Sequence, residues 1–418
     1  MTATAETTGQ SSPEQLRTAM VEALRSGGAV RTDWVAAALL AVPRHVFAPE
    51  VPLAEAYEPE RALVTKRDGY GLAVSSVSAA RIQAQMLEQA DVRSGMRVLE
   101  VGSGGYNAAL LAELVGREGE VVTVDIDPFV TERAQKYLAE AGYGRVRVVL
   151  ADGSEPVEGG PFDRIVVTVG AWDLPPAWTG ALVEGGTITV PLRMHGLTRS
   201  IAFRREGERL VSVSATVSGF VKIRGTDAHD EFLVLPRGTK EIGLRFDELE
   251  RPDTSRLGGA LETPRAEWWS GVTIGNQEPF DSLYLRLASV LPGFGLMSVD
   301  PELDTGTVAP ANRMACPAIV EGDSLAYLAL RKITDDPATF EFGAHGFGPE
   351  GGPLAALINT EVRNWDREHR NGDGPVFTAQ PIGTPNDELP DGLVVDKTHV
   401  RLTISWPQSA ARSCTTDL

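Results

Sequence analysis

The sequence predicts an α/β fold, a doubly wound and mostly parallel sheet behind a set of N-terminal helices, followed by an α+β region. Three observations predict it. From about residue 80 to about residue 192, short apolar runs (RVLEV, VVTVD, VRVVL, RIVVTV, TITVPL) alternate with amphipathic segments of helical period. That is the pattern of strands covered on both faces and joined by helices. A glycine cluster directly follows the first of these strands, in VLEVGSGGYNAA at residues 98–109. Beyond about residue 225 the alternation gives way to strand-like pieces separated by Gly, Pro and Asp. A chain of 418 residues has room for both parts.

Taken in order, residues 1–11 are small and polar and are expected to be disordered. SSPEQL then supplies Ser12 as an N-cap, Pro13 at the first helical position and Gln15 to complete a capping box. Leu16, Met20 and Leu24 repeat at helical spacing until Gly27 and Gly28. A second helix is predicted over 33–41, and VPRHVFAPE leads into an irregular polar stretch up to about Ser76. The alternating series begins with a helix over 80–89 and strand RVLEV. Helix NAALLAELV ends at Gly116, and strand VVTVD, a helix over 130–140 and strand VRVVL follow. Strand RIVVTV, a short helix over 177–183 and strand TITVPL close it. SIAFRREG and LVSVSATVSGFV read as an antiparallel hairpin at the sheet edge. Farther on, SLYLRLA, SLAYLALRKI and HVRLTISW look strand-like. One helix, over 354–368, carries Leu354, Leu357, Ile358, Val362 and Trp365 on one face. The expected division is a tail at 1–11, a first domain at 12–225 and an α+β extension at 226–418, with no internal repeat.

A formal net charge of −18, with no Lys/Arg run, argues against nucleic acid as a partner. The acidic balance reads instead as a solubility feature. Cys316 and Cys414 provide neither a disulfide framework nor metal spacing, and the six histidines are scattered, so no metal site is expected. The expected setting is the reducing cytoplasm. MTATAETTGQSS lacks the basic region and apolar core of a signal peptide, and no apolar run is long enough to span a membrane.

The glycine loop admits two ligands. A dinucleotide fingerprint wants G-x-G-x-x-G, and Gly102 and Gly104 fit it, but the third position is Asn107. Glu100 instead gives the E-x-G-x-G form usual in S-adenosylmethionine-dependent methyltransferases. Three later strand ends favour the second ligand. Asp125 closes VVTVD, where a carboxylate can accept from two ribose hydroxyls. Asp152 and Gly153 follow the third strand, on the adenine side. Residues 168–171 follow the fourth strand and line the opening where substrates sit in open α/β sheets. The expected cofactor residues are therefore Glu100, Gly102, Ser103, Gly104, Tyr106, Asn107, Asp125, Ile126, Asp152, Gly153 and Thr168. Val169 and Gly170 are expected on the substrate side. A turn acid at Asp125 and a turn pair at Asp152-Gly153 are the purely structural alternatives. The strand ends offer Ser, Thr, Asp, Glu and main chain, but no His or Lys. A carboxylate acceptor ionises at about pH 3.9–4.3 in a free peptide and needs no base. These residues therefore favour one, although the extension could also supply a base.

These blocks together resemble the protein-L-isoaspartate O-methyltransferases over about residues 13–225. The similar segments are MVEALRSGGAVRTDWVAAALLAVPRHVFAPE with its P-R-x-x-F-x-P turn, Ala56-Tyr57, VLEVGSGGYNAALLA, PFDRIVVTVGAWDLP, LVEGGTITVPL and GFVKIRG. The resemblance implies S-adenosylmethionine as cofactor and a substrate segment at Ser76, Val77 and Ser78. Ser78 matches the serine of that family's Ser-Gln-Pro, which is implicated in catalysis and substrate handling. The same serine also reads as an N-cap for the next helix. Three departures stand out: a glycine loop one residue shorter, Ala79-Ala80 in place of Gln-Pro, and the extension.

An extension of this size resembles a subset found beside ribosomal-peptide clusters, the FxLD-system methyltransferases linked to lanthipeptides. That likeness implies methylation of an aspartate in a macrocyclic peptide, then succinimide and isoaspartate. The extension would then bind peptide. Trp268, Trp269, Trp365 and Trp406 read either as an aromatic platform or as core residues. ATFEFGAHGFGPEGG, with His345 and Phe347, reads as a binding loop or a long turn. Repair of L-isoaspartyl residues, a catalytically inactive binding protein and a small-molecule O-methyltransferase are the other readings.

Overall fold

The computed structural model describes residues 11–102, 104–246 and 253–407. Helices α1 (Pro13–Ser26) and α2 (Asp33–Ala41) open it, followed by a short α3 (Leu53–Ala56). The capping box is formed as its residues dictate: Gln15 N donates to Ser12 Oγ, and Ser12 N to Gln15 Oε1. The stretch expected to be irregular holds a two-stranded hairpin, β1 (Leu63–Arg67) and β2 (Ala73–Val77), which leads into α4 (Ala80–Ala90). Two register shifts in β1 break the alternation by which strands are recognised.

The predicted series follows as β3 (Arg97–Val101), α5 (Tyr106–Val115), β4 (Glu120–Asp125), α6 (Pro128–Glu140), β5 (Arg147–Leu150), β6 (Phe162–Val167), α7 (Pro176–Ala181) and β7 (Leu182–Met194). The long antiparallel pair β8 (Leu197–Glu206) and β9 (Arg209–Val217) comes next. Strands β3 to β7 are parallel in the order β7-β6-β3-β4-β5. Their side chains divide by strand period between two faces. Val98, Val121 and Val166 pack with the N-terminal helices, whereas Leu99, Val101, Val122, Val124, Ile165 and Val167 belong to the opposite core.

The remaining chain gives β10 (Phe232–Val234), β11 (Ile242–Phe246), β12 (Ala266–Gly275), α8 (Asp281–Val290), β13 (Phe294–Val299), β14 (Cys316–Glu321), β15 (Ser324–Asp335), β16 (Ala338–Phe347), α9 (Gly351–Glu368), β17 (Val376–Pro381), β18 (Leu393–Asp396) and β19 (Val400–Ser405). A seven-stranded antiparallel sheet, β10-β11-β13-β14-β15-β16-β12, is formed by part of it. The last three strands do something the sequence reading did not anticipate. They extend the first sheet beyond β9, in the order β18-β19-β17-β9. HVRLTISW is thus a strand of the first sheet, and the β8–β9 hairpin is interior rather than at an edge. The apolar core on that side runs without a break from Ile165 and Val190 into Leu244, Leu296 and Phe342 of the second sheet.

Other expectations also change. SLYLRLA is helix α8: Leu283, Leu285 and Leu287 alternate like a strand, yet all are buried because the helix is covered on several sides. ATFEFGAHGF is strand β16, paired to both β12 and β15, so it is neither a binding loop nor a long turn. The four tryptophans form no platform. Trp365 is fully buried and donates to Ser282 Oγ, Trp406 donates to Ser289 Oγ, and of the Trp268-Trp269 pair Trp268 is half exposed. Among the described residues no helix is long and apolar enough to cross a membrane, and no His/Cys/Asp/Glu group could hold a metal ion.

Candidate active site

Strand β3 has β4 on one side and β6 on the other, so the crevice beyond its carboxyl end is the switch point where open α/β sheets take ligands. The glycine loop lies there. Gly102 has φ +96°, and a side-chain carbon on it would sit 2.7 Å from Thr168 Oγ1 and 3.0 Å from Val169 Cγ1. Only glycine fits that approach of β3 to β6. Thr168 secures it by donating from its hydroxyl to the Gly102 carbonyl over 2.6 Å. Gly104 lies beneath β2, where a side-chain carbon would be 3.6 Å from the Ser76 carbonyl oxygen.

Two adjoining cavities open at this point. One is lined by Ser76, Val77, Ser78, Glu100, Gly102, Gly104, Tyr106, Asn107, Asp125, Thr168 and Val169. The other continues along Gly102, Asp125, Ile126, Gly153 and Val169. Thirteen of the sequence-predicted residues are thereby brought together. Two predicted residues are not among the lining. Both Asp152 oxygens are engaged, Oδ1 by Ser154 N and Oδ2 by Thr226 N and Oγ1, so this carboxylate clasps residue 226. Burial raises its pKa, but those hydrogen bonds outweigh the burial and hold it low. Gly170 is engaged through its main chain, with its N donating to Val221 O and its O accepting from Ile223 N. Ser103 lies outside the described residues, as do Cys414 and residues 1–10.

Glu100 is fully buried and accepts from Asn107 Nδ2 at 2.8 Å and Thr123 Oγ1 at 2.5 Å. Burial without a cation pushes its pKa to about 7, with the two hydrogen bonds partly opposing that shift. Tyr106, at the start of α5, is also fully buried. Among the described residues its hydroxyl has no hydrogen-bond partner, and the Arg44 guanidinium stands 5.0 Å from its ring centroid.

Ser78 does not cap α4. The cap position is Ala79, and no side chain caps the helix. The Ser78 carbonyl instead accepts from Arg44 Nη2. Arg44, the arginine of the P-R-x-x-F-x-P turn, is fully buried and also donates to Ala56 O, Arg61 O and Gln83 Oε1.

The sequence reading missed Asp127. As the N-cap of α6 it accepts from Phe129 N, and its Oδ2 receives Lys66 Nζ at 2.6 Å and Arg224 Nη2 at 3.1 Å. Burial raises its pKa, but the two cations outweigh this and the carboxyl titrates below its ordinary range. Asp127 thus ties the β1–β2 hairpin and the 221–224 wall to the rim of the cofactor crevice. Asp-Pro opening a helix was legible as a cap; the partners of Asp127 were not. The wall residues Val221 and Arg224, and Gln83 from α4, also line the cavities. No histidine does so among the described residues.

Comparison of sequences points to one family. Residues 14–226 match the family described as protein-L-isoaspartate(D-aspartate) O-methyltransferase. A protein-L-isoaspartate O-methyltransferase of Methanococcus maripaludis is 37% identical over 178 residues, 42% of this chain and 81% of that one. Its counterpart in Methanopyrus kandleri is 41% identical over 180 residues, 42% of this chain and 76% of that one. A solved protein-L-isoaspartate O-methyltransferase aligns with 87% of this chain and 96% of its own, at 22% identity and a TM-score of 0.48.

Proposed function

This chain belongs to the protein-L-isoaspartate(D-aspartate) O-methyltransferase family and is an S-adenosylmethionine-dependent carboxyl O-methyltransferase, and from that premise we propose that its acceptor is an aspartate side chain in a macrocyclic, lanthipeptide-type ribosomal peptide. The cofactor supplies a methyl group on a sulfonium centre. The crevice suits such a group because Gly102 and Gly104 keep side-chain bulk out of it and Asp125 closes one wall. In this reading Asp125 takes the ribose hydroxyls. Glu100, Gly102, Gly104, Tyr106, Asn107 and Thr168 surround the methionine end, and Ile126 and Gly153 border the adenine. Asp152 supports that end indirectly, through Thr226. Ser76, Val77, Ser78 and Val169 face the acceptor.

An aspartate acceptor is already ionised at neutral pH. The lining residues therefore have to orient it and exclude water, and positioning of that kind can supply much of an acceleration. Among the described residues the lining has no histidine, which fits this requirement. Once the ester forms, the side-chain carbonyl is neutral and open to attack and carries a methoxy group that can leave, whereas the ionised carboxylate repels a nucleophile and would have to expel oxide. The following backbone nitrogen then attacks the side-chain carbonyl, expels methanol and closes a succinimide, whose hydrolysis gives isoaspartate.

One observation supports the finer reading over isoaspartyl repair. The chain enters α4 through Ser78-Ala79-Ala80, where the repair enzymes it resembles carry Ser-Gln-Pro, so the substrate segment is remade beside the cavity. Repair of L-isoaspartyl residues is the second reading, favoured by the similarity of residues 14–226 to enzymes of that name. Mass spectrometry of three peptides incubated with enzyme and cofactor separates the two: a cyclised ribosomal peptide from the same genome, its linear form and an isoaspartyl reporter. Methylation of the cyclic peptide, followed by a species one water lighter than the start, is expected. Methylation of the reporter alone overturns the proposal in favour of repair.

A further inference from the structure

The turn between β18 and β19 reaches back across the first sheet and closes on the loop that follows β6. Lys397, only 3% exposed, holds its ammonium 3.4 Å from the centroid of the Trp172 ring and donates to the Arg193 carbonyl over 2.8 Å. The His229 ring stacks on Trp172 at 4.0 Å with the planes 8° apart. An ammonium and a parallel ring cannot share one face at those distances, so Trp172 is clamped on both sides.

The next residue is held as tightly. Asp173 is 2% exposed, and its carboxylate accepts from Leu174 N at 2.7 Å and from His399 N at 2.6 Å. The His399 ring in turn pairs with Asp227 at 2.8 Å. On the other side, Ala171 N donates to Pro191 O, and Gly170 is bonded to the 221–223 wall. A buried polar network with its groups paired has one arrangement and resists others.

The clamped loop, residues 170–174, continues directly from Thr168 and Val169, which line the cavity. The turn that clamps it lies outside the 14–226 region shared with the family. We propose that residues 397–399 are a positioning element of the acceptor site. In this proposal Lys397 and His399 set the Trp172-Asp173 loop and, through it, the wall against which a peptide acceptor is held. It rests on the peptide-acceptor reading above and adds that the C-terminal strands shape this site.

The test is Lys397→Met, which keeps the chain length but removes the cation and the donor. Its control is Arg401→Gln on the same hairpin, which breaks the Asp396 ion pair and the hydrogen bonds to Thr384 O and Asn386 Oδ1 but none to residues 170–174. Three quantities are read for each folded variant: cofactor affinity by calorimetry, kcat and KM for the peptide acceptor, and amide exchange across residues 168–174. Lys397→Met is expected to accelerate exchange in that segment and to lower kcat/KM for the peptide by about tenfold or more, while cofactor affinity stays within about twofold. Arg401→Gln should leave all three unchanged. A lower melting temperature with unaltered kcat/KM would make the clamp merely structural and overturn the proposal. Wild-type protein that methylates no peptide would instead sink the acceptor reading, a separate result from an active wild type that the variant matches.

Discussion

Arg44 Nη2 lies 2.8 Å from the carbonyl oxygen of Ser78 and donates to it, while the same guanidinium holds Ala56 O, Arg61 O and Gln83 Oε1. One buried side chain thus ties the N-terminal turn to the start of α4 just where the cavity opens. Among the described residues Arg44 has no carboxylate in ion-pair contact, so its fork serves main chain and one amide.

Removing the fork has a calculable cost. Arg44→Met leaves four acceptors without their donor, two in buried and two in half-buried hydrogen bonds, and at about 1–3 kcal/mol for each fully buried one a loss of a few kcal/mol is expected in chemical denaturation. Arg44→Lys keeps a donor but not the planar geometry. It should cost less stability, retain cofactor binding within about twofold and still reduce turnover, because the Ser78 carbonyl loses its anchor. Unchanged turnover in Arg44→Lys would show that the anchor does not reach the acceptor site.

Ser78 separates two roles that its position in the sequence had merged. Loss of an N-cap serine costs about 1 kcal/mol. Because Ala79 occupies the cap and the Ser78 hydroxyl bonds to nothing among the described residues, Ser78→Ala should leave the melting temperature unchanged. Cofactor affinity should be spared and kcat for the acceptor lowered. A fall in stability with kcat intact would return Ser78 to a structural role.

Local spacing made some of this site readable and left the rest hidden. Gly102, Gly104 and Asn107 lie at the junction of β3 and α5, so one short stretch of sequence makes their common place beside the cavity legible. Asp125 at the end of one strand and Gly153 just after the next are legible as members of a regular series, and both line the cavities. Asp127, Lys66 and Arg224 meet from three distant segments, and none of them carries a local sign of the others. Asp152 was assigned by the same strand-end logic as Asp125. Its carboxylate accepts from Ser154 and from Thr226, far along the chain, and that partnership left no local sign. The addition of β17 to β9 was hidden for a similar reason, since alternation identifies a strand but says nothing of its neighbour.

The two strand-end acids should therefore respond differently to substitution. Asp125 borders both cavities, and hydrogen bonds to a charged group are worth about 1.5–3 kcal/mol each, so losing two ribose contacts in Asp125→Ala weakens the cofactor by about a hundredfold or more. Asp152→Ala frees the 226 segment and should weaken the cofactor far less, while speeding amide exchange near Thr226. Calorimetry on both variants checks the order. Equal losses would mean that Asp152 reaches the ligand directly.

Glu100 supplies the pH dependence. Its carboxyl titrates at about 7 in the folded chain against 4.5 in the unfolded one, chiefly because burial disfavours the anion. Between those values the folded state holds a proton that the unfolded state has released, so stability falls as pH rises through this window and levels off above pH 7. Each tenfold change in proton affinity is worth about 1.4 kcal/mol, so the whole effect is about 3 kcal/mol. Glu100→Gln carries no titrating group there, so the stability of wild type relative to this variant should drop by about that amount across the same range. Denaturation curves of both cofactor-free proteins at several pH values provide the measurement. Parallel stability profiles would mean that Glu100 is ionised throughout, and that Asn107 and Thr123 alone sustain a buried anion.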